Sequence, residues 1–274
     1  MRSLSRGPMR RHFHKMHGLG NDFVIVDARD APFAVTPSLA KAIADRRTGV
    51  GCDQLIVLEP SDTADLKMRI WNSDGGEVES CGNATRCVVQ LTGAKRIDSD
   101  GGLLEGLDLG AEVEVMLAGP KFGWDDIPLA YAMDTNPLPM AWEELARPVA
   151  VNVGNPHLVF FVPDAREVPL DELGPNIEHD PVFPERINVN VASCVHGVVK
   201  LRTFERGAGE TLACGTGACA TAVAAILTKR AESPVQVDMT GGKLVIEWAP
   251  GEPIRMRGSA THVFEGEFDL EALA

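Results

Sequence analysis

One stretch of this chain occurs twice. Residues 67–83, KMRIWNSDGGEVESCGN, lie over residues 200–216, KLRTFERGAGETLACGT, at an offset of 133 with no gap. Six positions are identical: Lys67/Lys200, Arg69/Arg202, Gly76/Gly209, Glu77/Glu210, Cys81/Cys214 and Gly82/Gly215. Chance pairing at ordinary residue frequencies gives about one. A second pair, GNDFVIVD (20–27) and GNPHLVFF (154–161), aligns at an offset of 134. Both offsets are close to half of the 274 residues. The chain therefore reads as an internal duplication, and whatever one half folds into, the other must fold into as well. The join falls somewhere in 118–147, a stretch rich in Gly, Pro and Asp.

The elements inside each half are mixed. DFVIVD (22–27), LKMRIW (66–71), EVEVML (112–117), HLVFFV (157–162), VVKLRTF (198–204) and KLVIEW (243–248) carry the β-branched and aromatic residues of strands. In LKMRIW, Leu66, Met68 and Ile70 share one face, and Lys67, Arg69 and Trp71 the other. Helices are expected at about 37–46, 82–93, 214–229 and 139–146. Strands and helices do not alternate regularly, which argues for an α/β fold of the α+β type and against a doubly wound parallel sheet.

Composition narrows the partners. A net charge of −13 disfavours nucleic acid and leaves a small-molecule substrate. No apolar run is long enough to span a bilayer, so no membrane partner is expected. The first 17 residues are basic without an apolar core, unlike a secretory signal; an extended or misassigned start fits them, with Met9 or Met16 as other initiators, and an Arg-rich targeting segment is the alternative. Six cysteines without a CxxC, in a chain too large to need a disulfide scaffold, point to reduced thiols in the cytoplasm.

Each half reads strand, Gly-rich turn, Cys, helix. After Cys81, the residues Ala84, Cys87, Val88 and Leu91 recur at helical spacing; after Cys214, nearly everything to Leu227 is small or apolar. Cys81 and Cys214 thus stand at or beside a helix N-cap, where unpaired backbone N–H groups carry partial positive charge. That position lowers a thiol's pKa and can bind an anion such as a carboxylate. Two such thiols on opposite sides of one α-carbon could remove a proton from one face and return it to the other, inverting the centre. A four-cysteine zinc site from Cys81, Cys87, Cys214 and Cys219 is disfavoured because Cys81 and Cys87 are six apart on a helix and knuckle spacing is absent. Cys87 and Cys219 read as core, and Cys52 and Cys194 have no helper motif.

The chain resembles the diaminopimelate epimerase family. The matching pieces are MHGLGNDFVIVD (16–27), GVGCDQL (49–55), MRIWNSDGGEVESCGNATRC (68–87), VNVGNPHLVFFV (151–162), ERINVNV (185–191) and TFERGAGETLACGTGACA (203–220). The family pattern after the first cysteine is similar to CGNGARC; here it is CGNATRC, a change on the helix and not at the thiol. The resemblance implies two pseudo-symmetric domains, each a mostly antiparallel barrel-like sheet around a central helix, with the active site in the cleft between them. It implies cofactor-independent interconversion of LL- and meso-diaminopimelate for lysine and peptidoglycan precursors, with no metal. It implies Cys81 and Cys214 as the acid and base, assisted by His157 and Glu205. Carried over by position, Asn21, Gln54, Asn72, Asn155, Asn188, Glu205 and Arg206 hold the substrate, and the N–H groups of Gly82, Asn83, Gly215 and Thr216 hold the reacting carboxylate. Arg206 suits the distal carboxylate, which a guanidinium grips with two hydrogen bonds.

The expected organisation is a basic extension over 1–15, an N-terminal half over 16–127, a C-terminal half over 128–262, and a terminal strand over 263–274 that packs on the first half. A homodimer is expected. Two alternatives stand beside this reading: a proline or hydroxyproline racemase-type enzyme, whose cyclic substrate would leave Arg206 and the asparagines without partners, and a redox sensor in which Cys81 and Cys214 form a regulatory disulfide.

Overall fold

Runs of β-branched and aromatic residues put most of the chain into strands, and a computed structural model, which describes residues 10–79 and 81–273, gathers them into two units. The first unit holds β1 (Arg10–Gly18), β2 (Asn21–Asp27), β3 (Gln54–Glu59), β4 (Leu66–Asn72), β5 (Glu77–Val78), β6 (Arg96–Ser99) and β7 (Gly102–Asp108). β1 and β2 form an antiparallel hairpin, β2 runs parallel to β3, β3 antiparallel to β4, β4 parallel to β6, and β6 antiparallel to β7. β5 folds back on β4. Helix α1 (Pro37–Ala44) is capped by Thr36, whose side chain accepts from the Leu39 N–H, and begins with proline, whose fixed φ suits a first turn. Its Ala40 and Ile43 pack with Val24, Val26, Leu55, Val57 and Trp71 on one face of the sheet. Trp71 is therefore as buried as Ile70 on the other face, because α1 covers it. Helix α2 (Gly82–Thr92) lies against β1, β2, β7 and the last strand of the chain, and stops at Gly93 in the left-handed conformation.

The second unit repeats the plan. It holds β8 (Val113–Leu117), a small ribbon of β9 (Ala141–Trp142) and β10 (Leu145–Ala146), β11 (Val149–Asn152), β12 (Pro156–Phe161), β13 (Asn188–Val195), β14 (Val198–Glu205), β15 (Gly209–Thr211), β16 (Val235–Met239), β17 (Gly242–Glu247) and β18 (Ile254–Gly258). β11 to β17 pair in the same senses as β1 to β7: antiparallel, parallel, antiparallel, parallel, antiparallel, with β15 folded on β14. Helix α3 (Leu170–Glu178) covers Leu158, Phe160, Val189, Val191 and Phe204 as α1 covers its own sheet. Helix α4 (Gly215–Leu227) touches β11 to β14 and β16 to β18 and is buried from Gly217 to Ala225. Glycine and alanine let the surrounding strands approach its backbone closely.

Three details differ from the sequence reading. The helix expected at 139–146 is the β9–β10 ribbon: Pro139 and Pro148 flank it, and Glu143 turns with φ +51°. Helix α3 escaped the apolar pattern because Pro169 and Pro175 interrupt it, although the repeat offset of 133 carries α1 directly onto it. The contacts divide the chain at 113/114 and 258/259, not at 127/128 and 262/263. β8 pairs with β18 in the second unit, and the last strand, Thr261–Asp269, returns antiparallel to β1 in the first. Residues 10–15 belong to β1; the rest of the expected basic extension, 1–9, lies outside the described residues.

Burial has a consequence for alkaline stability. Desolvation pushes the Cys52 and Cys87 thiols up to about 12 from an ordinary value of 9.0. A group whose folded pKa is raised contributes stability fully present below the unfolded value and lost as pH rises through the folded one. The free energy of unfolding is therefore expected to fall as pH climbs from about 9 towards 12, by roughly 1.4 kcal/mol per thiol for each pH unit, and Tm with it. A thermal melt series over that range checks it; Cys87→Ala should flatten the slope, and an equally steep fall in that variant would remove the thiol as the cause.

Candidate active site

In each unit a hairpin, β4–β5 or β14–β15, delivers a cysteine to the N-cap of a helix. Cys81 caps α2 with φ −151° and ψ 113°, and Cys214 caps α4 with φ −120° and ψ 112°. The Thr85 N–H donates to the Cys81 carbonyl and the Ala218 N–H to the Cys214 carbonyl, both at 2.9 Å. The N–H groups of Gly82 and Asn83, and of Gly215 and Thr216, come before these bonds and have no acceptor within the helix. Such N–H groups at a helix start suit an anion. At Cys214 the Gly217 N–H donates to Sγ at 3.3 Å, and the Thr216 hydroxyl lies 3.5 Å from it.

Around Cys81 the amides are held in a fixed sense. Arg86, fully buried in α2, donates to Asn83 Oδ1 at 2.9 Å. Asn83 Nδ2 donates to Asn21 Oδ1 at 3.2 Å, and Asn21 Nδ2 donates to Asp53 Oδ2 at 3.0 Å. Every donor points from the guanidinium towards the carboxylate. Asn21 Oδ1 consequently faces the thiol, 3.8 Å from Cys81 Sγ. Asp53 is braced in turn by exchange with Asp22 and by Arg46, which reaches both carboxylates. Burial pushes the Asp22 carboxyl up, but hydrogen bonds from Arg46 and Lys15 outweigh it and hold the group well below the usual carboxylate range. Gln54 and Asn72 are cross-strand neighbours, and Gln54 Nε2 donates to Asn72 Oδ1 at 2.9 Å. Gln54 Oε1 is buried with no partner among the described residues.

The second unit assembles Asn155, His157, Asn188, Glu205, Arg206, Cys214, Gly215 and Thr216. Asn188 Nδ2 donates to the Pro156 carbonyl at 2.8 Å, and its Oδ1 accepts the Arg206 N–H at 3.0 Å. Arg206 Nη1 donates to the Glu185 carbonyl, and Arg206 and Asn155 line a recess of about 420 Å³ together with Lys121, Asp125, Asp126 and Glu185. Glu205 accepts from the Thr211 hydroxyl at 2.5 Å. His157 is completely buried, with Nε2 2.9 Å from Asn155 Oδ1 and Nδ1 3.0 Å from Asn190 Nδ2.

One expectation changes here. The helix start was expected to lower the pKa of both thiols; at Cys214, 4% exposed, burial and the neighbouring Glu205 carboxylate push it well above the ordinary value, against hydrogen bonds from Thr216 and Gly217. Desolvation is the larger effect. Burial and the Arg206 charge push His157 down to about 3, and its two nitrogens lie against Asn155 and Asn190 within the unit. Sequence reasoning also missed Asp22, Asp53, Arg46, Asn190, Thr203 and Gly217. The signal for Asn190 was present in NVNV: Asn188 and Asn190 are two apart on a strand and share a face.

The candidate residues occupy matching places in the two repeats: Asn21 with Asn155, Gln54 with Asn188, Asn72 with Glu205, and Cys81 with Cys214. Among the described residues one group could offer metal ligands, His14, His262 and Glu265 on β1 and the last strand; none of these is a candidate site residue.

The family profile described as Diaminopimelate epimerase matches residues 13–115 and 149–263. The chain is 62% identical over 267 residues to the diaminopimelate epimerase of Rhizorhabdus wittichii, covering 96% of this chain and 97% of that protein. It is 62% identical over 263 residues to that of Sphingopyxis alaskensis, covering 95% and 98%. Among solved structures, a phenazine biosynthesis protein of the PhzF family from Enterococcus faecalis superposes with a TM-score of 0.70 at 15% identity, covering 96% of this chain and 100% of that one. A hydroxyproline epimerase from Agrobacterium vitis, with bound trans-4-hydroxy-L-proline, gives 0.65 at 14% identity, covering 95% and 93%. These two likenesses concern the fold.

Proposed function

Because this chain belongs to the diaminopimelate epimerase family, and so epimerises diaminopimelate in lysine biosynthesis as an isomerase, we propose that Cys81 and Cys214 are its two proton-transfer groups, working without a cofactor. The observation that carries this is the placement of each sulfur at the N-cap of its unit's inner helix, beside N–H groups that suit a carboxylate. One sulfur, as thiolate, takes the α-proton and becomes a thiol. The electron pair passes into the carboxylate, whose growing charge the helix N–H groups stabilise. The other sulfur, as thiol, gives its proton to the opposite face and is left as thiolate. Each turnover therefore exchanges the roles. The raised pKa of Cys214 favours it as the acid at rest, which leaves Cys81 as the base for the isomer that presents its α-proton to Cys81.

The surrounding groups divide by chemistry. Gln54 Oε1 and Asn21 Oδ1 are acceptors and suit an ammonium group. Arg206, with the Asn155 amide, suits the distal carboxylate. Asn72, Asn188 and Glu205 complete the lining, with Glu205 close enough to Cys214 to influence its proton. A hydroxyproline-type substrate has no second amino-carboxylate to use Arg206. We read the protein further as a cytoplasmic homodimer; no helix among the described residues is long and apolar enough to cross a membrane. Light scattering on the purified protein tests the dimer.

Thiol alkylation tests the site. Cys81 is partly exposed and Cys214 buried, so iodoacetamide is expected to modify Cys81 first, with loss of activity in proportion. Saturating diaminopimelate should slow that modification on the order of tenfold or more. Peptide mass mapping reads both sites. Alkylation of Cys81 that diaminopimelate leaves unaffected, or that leaves the enzyme active, would overturn the assignment.

A further inference from the structure

The first and last strands of the first unit pair with one fault. β1 and the final strand, β19 (Thr261–Asp269), run antiparallel, with His14 opposite Glu265 and Lys15 opposite Phe264. The next pair is Met16 with His262, so Val263 is the extra residue of a β-bulge. Side chains alternate between the faces of a strand, and His262 and Glu265, three apart, would otherwise stand on opposite sides. The bulge resets the alternation. His262 takes the place opposite Met16, on the face that His14 shares with Met16. Phe264 turns to the other face, edge-on to Phe13. A bulge gives up ladder pairing, and re-aiming a side chain is one of its recurrent uses.

The side chain re-aimed here completes a set of metal-ligating atoms. His14 Nδ1 lies 3.2 Å from His262 Nε2 and 3.6 Å from Glu265 Oε2. All three ligand atoms fall within 4.8 Å of one another. Around a tetrahedral zinc ion with bonds of about 2.0–2.1 Å, neighbouring ligand atoms stand about 3.3 Å apart. Small side-chain rotations therefore bring the three to one centre. His12 is the next imidazole, with its ring centroid 4.9 Å from that of His14 and its Nε2 3.8 Å from Glu265 Oε2. Two imidazoles and a carboxylate suit zinc, nickel or copper, whereas calcium and magnesium take oxygen ligands. The Glu265 side chain is 61% exposed and that of His14 19%, so an ion can enter from solvent while the inner ligand is held by its surroundings.

We propose that His14, His262 and Glu265 hold a divalent ion of the zinc class, which staples the last strand of the chain to the first. His14 and His262 are 248 residues apart, so the ion closes a loop of nearly the whole chain. A clip across a loop of that length removes the most freedom from the unfolded chain. The three ligands leave at least one coordination position, which water or His12 fills. None of them is a candidate active-site residue, so the staple acts on the stability of the first unit and not on turnover.

Zinc titration of the purified, chelator-treated protein by calorimetry, together with thermal melts, tests the site. One ion per chain should bind at this place. Zinc at about a hundred times its dissociation constant should raise Tm by about 5 °C or more. Magnesium should not. His262→Ala and Glu265→Gln change exposed side chains and should fold as the wild type does. Each should weaken zinc on the order of tenfold or more and remove the rise in Tm, with metal-free kcat and KM for diaminopimelate unchanged. Cys81→Ala should keep both the binding and the rise. Absence of zinc binding overturns the proposal, as does binding that survives His262→Ala and Glu265→Gln or that disappears in Cys81→Ala. One ion per two chains would mean that two copies share the ligands, and the staple within one chain falls.

Discussion

Cys81→Ala and Cys214→Ala are each expected to lower diaminopimelate turnover on the order of 10³-fold or more, because a positioned proton-transfer group contributes typically 10²- to 10⁴-fold and inversion needs both. The sharper variant is Cys214→Ser. Cys214 is the N-cap of α4 and accepts the Gly217 N–H. Serine is a better N-cap than most residues, so it preserves the helix start. The serine protein should therefore melt within about 1 kcal/mol of the wild type while losing activity almost as fully as the alanine protein, since a hydroxyl is a far weaker acid than a thiol. The measurement is deuterium incorporation at the α-carbon together with a thermal melt. Near-normal turnover in any of the three proteins removes the two-thiol mechanism and returns the cysteines to a structural or redox role.

Gly217→Ala should produce the next largest loss. A Cβ at this position would lie 2.7 Å from Asn190 Oδ1, 2.9 Å from Thr203 Oγ1 and 3.2 Å from Cys214 Cβ. All three neighbours are held by buried hydrogen bonds or by the helix cap, so the added methyl must displace the first turn of α4 or break those bonds. Overpacking of this kind costs about 1–3 kcal/mol of stability. A displacement of about 1 Å at a reacting group can lower rate on the order of 10²-fold. The first unit has a fully buried Ala84 at the equivalent place. Combining Gly217→Ala with Asn190→Ala should recover part of the lost stability, a coupling that a double-mutant cycle reads directly. Additive losses in that cycle would show that the clash is not with Asn190.

The duplicated pattern made much of this molecule legible. Two copies of strand, Gly-rich turn, Cys and helix place a sulfur at each helix start, because an N-cap is a local matter of a few residues. Six strands were readable from β-branched runs, and the pairing order of β1 to β7 recurs in β11 to β17. Helix α3 was in principle legible too, through the offset that maps Pro37–Ala44 onto it, but its prolines hid the period.

What the sequence alone determined, then, is the repeat and the capped cysteines, since these depend on short-range spacing. Tertiary structure alone decided their chemical state. The Cys214 thiol is pushed up because its surroundings exclude water and Glu205 lies close to it. His157 is held between Asn155 and Asn190, the latter on a strand joined to its own only by long-range pairing. Desolvation and hydrogen-bond polarity are sums over neighbours distant in the chain, and no local pattern encodes them.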